Sequence, residues 1–111
     1  MEVWKQSRML VQMVYQVAQN FPASEQYSLT QQILRASVSI PSNIAEGMGR
    51  NTSKEKARFF YISKGSLYEL ETQLYLALDL GFVDKKDFDK LNEQLVSVRK
   101  LIIGFIKFLQ S

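Results

Sequence analysis

Apolar residues return at intervals of three and four in four successive stretches of the chain, the spacing that lines one face of an α-helix, and no stretch alternates apolar with polar as a strand would. In the first, Trp4, Val11, Val14, Ala18 and Phe21 share a stripe, with Leu10 and Val17 beside it. Gln6, Gln12, Gln16 and Gln19 fill much of the remainder. Pro22 ends this run, because proline restricts the residue before it and cannot continue the helix ladder. Ser24 is then placed to cap a second helix. That helix carries Leu29, Ile33, Ala36, Ile40 and Ile44 on one stripe and has Pro41 inside it. An internal proline costs about 3 kcal/mol through a lost hydrogen bond and a clash. The stripe resumes in phase beyond it, so a kinked continuation is expected, with Ser37 and Ser39 helping to satisfy the freed carbonyls and Gly47 and Gly49 supplying the stop.

The third helix opens on a capping box, Thr52 with Glu55 three residues later. Phe60, Ser63, Leu67, Leu70, Leu74, Ala77 and Gly81 then recur at three to four, and Gly81 ends the run. Asp84, followed by Asp87, opens a fourth helix with Phe88, Leu91, Leu95, Val98, Ile102, Phe105 and Leu109 in line. Four helices on short connectors bring sequence neighbours side by side in opposite directions. The expected fold is all-α, an up-down-up-down antiparallel four-helix bundle, with residues 1–111 forming a single domain.

Composition narrows the chemistry. The chain has no Cys and no His. Thiol nucleophiles, imidazole acid–base catalysis and the Glu-x-x-His pairs of a di-metal carboxylate bundle are all out of reach. Glu46, Glu69 and Glu71 could in principle supply an acid–base pair, but nothing in their spacing places them in one pocket, and capping or surface pairing is their ordinary role. Gly47-x-Gly49 sits at a helix end without the strand that a dinucleotide-binding turn requires. No catalytic residue, metal site or cofactor is expected. No secretory pattern opens the chain, and its most apolar run, Leu101 to Leu109, is too short to span a bilayer; the cytoplasm is the expected compartment.

The apolar surface exceeds what one bundle needs. Tyr61, Tyr68, Tyr75 and Phe82 recur every seven residues, about 100° around the third helix from the Phe60 stripe. Leu76 and Leu80 lie further round, and the fourth helix adds Leu101, Ile103, Ile106 and Phe108 beyond its core stripe. An arc this wide is either tolerated surface or a self-association face, and the aromatic content favours association. Lys64 and Glu71, within the same stripe, fit either a rim ion pair between subunits or two solvated charges.

The net charge is +3. Arg50, Lys54, Lys56 and Arg58 fall within nine residues opposed only by Glu55, across the second interhelix connection, and Arg35 adds a charge in the second helix. A charged helix end is often merely solvated. Its functional reading is contact with the phosphate backbone of RNA or DNA, without sequence preference and weakened by salt. The alternative is a scaffold whose basic rim docks an acidic partner.

The run from Gln32 to Gly47, reading QILRASVSIPSNIAEG with Arg50 following, resembles the signature of the 23S rRNA intervening-sequence proteins. A second block from Phe60 to Glu71, FYISKGSLYELE, resembles that family too, as do Val3-Trp4 and Phe21-Pro22. Ser63 departs from the pattern, where Ala is expected. The resemblance implies a non-enzymatic four-helix bundle that assembles as a homopentamer. It also implies kinship with the accessory proteins of diversity-generating retroelements, which bind nucleic acid and a reverse transcriptase through a basic surface. Arg35 and Arg50 match family motif positions. Within the motif, Asn43 and Glu46 are placed to bond backbone loosened by Pro41, Ser39 and Ser66 to allow close helix approach, and Gly65 to mark a close backbone crossing.

Overall fold

The computed structural model describes residues 1–111 as four α-helices and no strand: α1 Glu2–Ala18, α2 Leu29–Met48, α3 Ser53–Asp79 and α4 Lys85–Gln110. One turn of 3₁₀ helix, Ala23–Glu25, lies between α1 and α2. Each helix packs on two others. α1 lies beside α2 and α4, α3 beside α2 and α4, and the diagonal pairs keep their backbones apart, so the section of the bundle is four-sided. Twenty buried residues form one continuous core along its axis.

The caps of α3 and α4 form as expected. Thr52 Oγ1 accepts from the Glu55 amide at 3.1 Å, and Asp84 Oδ1 from the Asp87 amide at 2.8 Å. Gly81 turns the chain between them with a φ of +77°, a left-handed conformation open to glycine without steric cost. The start of α2 corrects the sequence reading. Ser24 lies in the 3₁₀ turn, and Ser28 is the cap residue. Its hydroxyl is spent on the Glu25 carboxylate at 2.9 Å instead of on the first turn of α2.

The stripes hold in α2 and α3 and shift in α1 and α4. In α1 the buried residues are Val3, Ser7, Leu10, Val14 and Ala18. Trp4 is half-exposed, with the Arg8 guanidinium 4.5 Å over its ring. Ser7 disguised this register: it is a polar residue on the core face, its hydroxyl satisfied by the Trp4 carbonyl at 2.8 Å. In α4 the core position after Ile102 falls to Ile106, and Phe105 and Leu109 lie half-buried at the edge. A straight helix drifts past a strict seven-residue repeat, and the extra residue of spacing follows from that drift. Phe105 still contributes, stacked on Phe60 with centroids 4.7 Å apart.

The α2–α3 crossing is the tightest part of the fold, and small residues make it so. α2 runs through Pro41 to Met48 without a break. Ser39 Oγ meets Ser66 Oγ at 2.8 Å, and Ser63, fully buried, donates to the Ile40 carbonyl at 2.9 Å. Asn43 Nδ2 donates to the Ser39 carbonyl at 2.9 Å. Ser37 donates to the Leu34 carbonyl, so neither Ser37 nor Ser39 reaches the Ser37 carbonyl that Pro41 leaves without its donor.

The close approach expected at Gly65 occurs at Gly47 instead. A Cβ on Gly65 would meet nothing within 4 Å, whereas one on Gly47 would stand 2.9 Å from Phe59 Cβ and 3.2 Å from the Lys56 carbonyl. Gly47 is thus a packing residue inside α2. It is Gly49, with φ −82°, that stands at the helix end. Gly47→Ala should cost about 1–3 kcal/mol by overpacking. Gly65→Ala should add roughly 0.5–1 kcal/mol through helix propensity. Urea denaturation of the two variants checks both, and the opposite signs are the outcome that matters.

Candidate nucleic-acid interface

The basic cluster divides into two parts once folded. Arg50 and Lys56 are occupied at the end of α2. Arg50 pairs with Glu46 at 2.7 Å and lies over the Phe59 ring at 4.6 Å. Lys56 Nζ donates to the Met48 carbonyl at 3.3 Å, one of the carbonyls a helix end leaves unsatisfied. Lys54 and Arg58 stand one turn apart on the outward side of α3, and neither has a carboxylate partner. They line an open groove of about 1150 Å³ between the start of α3 and the end of α4. Thr52 and Ser53 supply its polar lip, Tyr61, Ile62 and Leu109 its apolar floor, and Glu55 its one acid. The positive end of the α3 dipole reinforces the two cations.

Arg35 does not join them. It lies on α2 about 20 Å from the end of that helix at 1.5 Å per residue, beside Tyr15 and Tyr27. Arg35 lies inside the motif that Arg50 follows, and the unbroken course of α2 through Pro41 keeps the two about four turns apart.

The aromatic stripe of α3 is where the spacing put it. Tyr61, Tyr68 and Tyr75 are 46%, 42% and 47% exposed, nearly level along the helix, so the stripe is a real surface ridge. Leu76 and Leu80 extend it. Each tyrosine leans on α4: Tyr61 Oη bonds the Gln110 side chain, Tyr68 lies under the Arg99 guanidinium at 5.9 Å, and Tyr75 packs on Phe88 at 4.8 Å. Phe82 is different. It lies past the end of α3, half-buried against Phe21 with centroids 5.8 Å apart. Lys64 sits over the Tyr61 ring at 5.6 Å, and Glu71 is paired within the chain to Arg99 at 3.1 Å. Glu46 and Glu71 are thus each bound to an arginine, far apart on different helices.

The family profile for the 23S rRNA-intervening sequence protein matches residues 1–104 of the chain. The chain belongs to that family. A crystal structure of a protein of unknown function from the S23 ribosomal protein family of Bacteroides thetaiotaomicron has a similar fold. It matches with a TM-score of 0.86 at 23% identity, covering 95% of this chain and 98% of that one. No curated protein matches the sequence.

One surface of this intervening-sequence protein escaped the sequence reading. The outer side of the α1–α2 pair carries a line of shallow depressions from Met1, Trp4 and Met48, through Val38 and Pro41, to Tyr15 and Tyr27. Two signals for it were present. Trp4 is out of phase with Val3 and Leu10, and from Met9 to Ala45 the chain holds one acid, Glu25, and one base, Arg35. No helix is long and apolar enough to cross a membrane.

Arg99 joins α4 to α3 through both Glu71 and Tyr68, with its side chain and that of Glu71 each 25% exposed. Arg99→Ala should destabilise the fold by about 1 kcal/mol, a partly screened ion pair plus a cation–π contact. Thermal melts at low and high salt test this, the difference from wild type shrinking as salt rises.

Proposed function

We propose that this family member is a non-enzymatic, homopentameric antiparallel bundle that binds the phosphate backbone of RNA or DNA through Lys54 and Arg58, with Arg50 and Lys56 beside them. The observation that carries the reading is the pair of adjacent cations without counter-ions on a groove that also presents Tyr61. Cations beside an exposed aromatic ring suit a single strand, whose backbone they neutralise and whose bases stack on the ring. The antiparallel course is supported by the order of contacts. Ser39 faces Ser66 while Gly47 faces Phe59, and Glu71 faces Arg99 while Tyr61 faces Gln110. The exposed tyrosine ridge supports assembly, and in an assembly each copy adds its own pair of cations, so that weak sites gain avidity.

Fluorescence anisotropy with a labelled single-stranded RNA of mixed sequence tests the proposal. Affinity should fall with rising salt by a logarithmic slope of about 0.7 per phosphate neutralised. Lys54→Glu with Arg58→Glu should abolish binding while leaving the melting temperature within a few degrees of wild type. Unchanged affinity in the double variant overturns the site. Binding of an acidic protein that RNA cannot displace would instead support docking of a partner such as a reverse transcriptase.

A further inference from the structure

We infer that the depression between the end of α1 and the start of α2 binds a nucleotide unit, its base on Tyr15 and Tyr27 and its phosphate on Arg35. The site is separate from the Lys54–Arg58 groove and does not depend on it.

Three short pieces of chain build the depression. Gln31, Leu34, Arg35 and Val38 recur at three and four along α2 and so share one outward face. Tyr15 reaches that face from the last turn of α1, and the 3₁₀ turn at Ala23–Glu25 brings Gln26 and Tyr27 back beside it. The enclosed space is about 400 Å³, larger than its two neighbours on the α1–α2 side and within the usual range of small-ligand sites. Leu34 and Val38 supply the apolar part of its lining.

None of its polar side chains is engaged elsewhere. The hydroxyls of Tyr15 and Tyr27, the carboxamides of Gln26 and Gln31 and the guanidinium of Arg35 make no hydrogen bond within the chain. Arg35 has no ion pair either and lies over no ring, whereas Arg8, Arg50 and Arg99 each lie over one. The groove on α3 is unlike it in this respect, since there Tyr61 is tied to Gln110 and Thr52 to the Glu55 amide.

The chemistry of the lining selects the ligand. From Val3 to Ala45 the chain has one acid, Glu25, which does not line the depression and accepts the Ser28 hydroxyl at 2.9 Å. A permanent cation with no acid beside it calls for an anion, and the guanidinium fork matches phosphate oxygens in pairs. Two tyrosines call for a flat partner. Tyr27 is 83% exposed and Tyr15 45%, and their rings do not pack on one another, so both have faces to offer. Each carboxamide sets a donor beside an acceptor, the pattern that reads the edge of a base. A flat ring with a hydrogen-bonding edge, joined to an anion, is a nucleotide. Its source is either a free mononucleotide or an unpaired residue of a strand, which present the same ring, edge and phosphate. Arg35 stands about 20 Å along α2 from the helix end that the Lys54–Arg58 groove adjoins, so one mononucleotide cannot touch both.

Amide NMR on the deuterated full chain tests the inference, with titrations of nucleoside monophosphates, of a single-stranded oligonucleotide of mixed sequence and of inorganic phosphate. Signals around Tyr15, Tyr27 and Arg35 should shift with a nucleotide and not with phosphate alone. Tyr27→Ala should weaken binding about tenfold through lost stacking, and Arg35→Gln by a similar factor through the lost phosphate contact, both read on whichever form binds. Both residues are exposed, and unchanged melting temperatures confirm that the variants fold. Lys54→Glu with Arg58→Glu should leave the mononucleotide shifts intact, which separates this site from the groove on α3. Equal affinity for mononucleotide and oligonucleotide assigns a free nucleotide, and a response to the oligonucleotide alone assigns an unpaired strand residue. No shift with either form, equal shifts with phosphate alone, or undiminished binding by Tyr27→Ala overturns the inference.

Discussion

Small residues set how closely α2 and α3 approach, and the placement of the larger side chains follows from that approach. Gly47 lets the Phe59 side chain lie against the α2 backbone, and Ser39, Ser63 and Ser66 replace bulk with hydrogen bonds where the helices are nearest. Packed interiors admit no slack, so a crossing built from small residues commits the larger ones elsewhere. Phe60, Leu67, Leu70 and Leu74 go to the core, and the tyrosines of α3 go to its outer side. Pro41 belongs to the same device. The α2 backbone it disturbs lies where Ser63 and Asn43 reach neighbouring carbonyls with their side chains.

A crossing of this kind also fixes where charge can gather. It brings the end of α2 and the start of α3 together, so Arg50 and Lys56 are drawn into local bonds with Glu46 and the Met48 carbonyl. Lys54 and Arg58, on the outward side, are left without such bonds. Four basic residues close in sequence thereby become two structural residues and two available ones. The distinction is geometric, since α3 residues two positions apart point about 200° away from each other. Arg35, in the first half of α2, faces a different surface beside Tyr15 and Tyr27.

The two exposed apolar faces have unlike origins. The ridge on α3 is a seven-residue repeat of tyrosine, each ring propped by a residue of α4, so its exposure is a stable feature of a folded helix pair. The groove on α1 and α2 arises from absences. Few charged residues project there, and Val38, Pro41 and Ala45 leave room between the helices. A surface made of absences has no motif, which is why it is visible only after folding.

The four helices, the caps at Thr52 and Asp84, the turn at Gly81, the continuation of α2 through Pro41 and the tyrosine stripe are all legible in the order of residues. These are local matters, decided within a turn or two by hydrogen-bond partners, backbone freedom and helical period. Family membership was legible for a similar reason, since its two motifs are contiguous runs. The tertiary structure decided what depends on distant neighbours. It decided that Val3 and not Trp4 enters the core, that Ile106 displaces Phe105, and that Phe82 packs on Phe21 outside the helix. It placed the close crossing at Gly47, where Gly65 carries the same residue type with no neighbour to meet. It also separated Arg35 from Arg58. Each of these turns on which side chain another helix happens to oppose, a quantity set by packing across the bundle and absent from any local pattern.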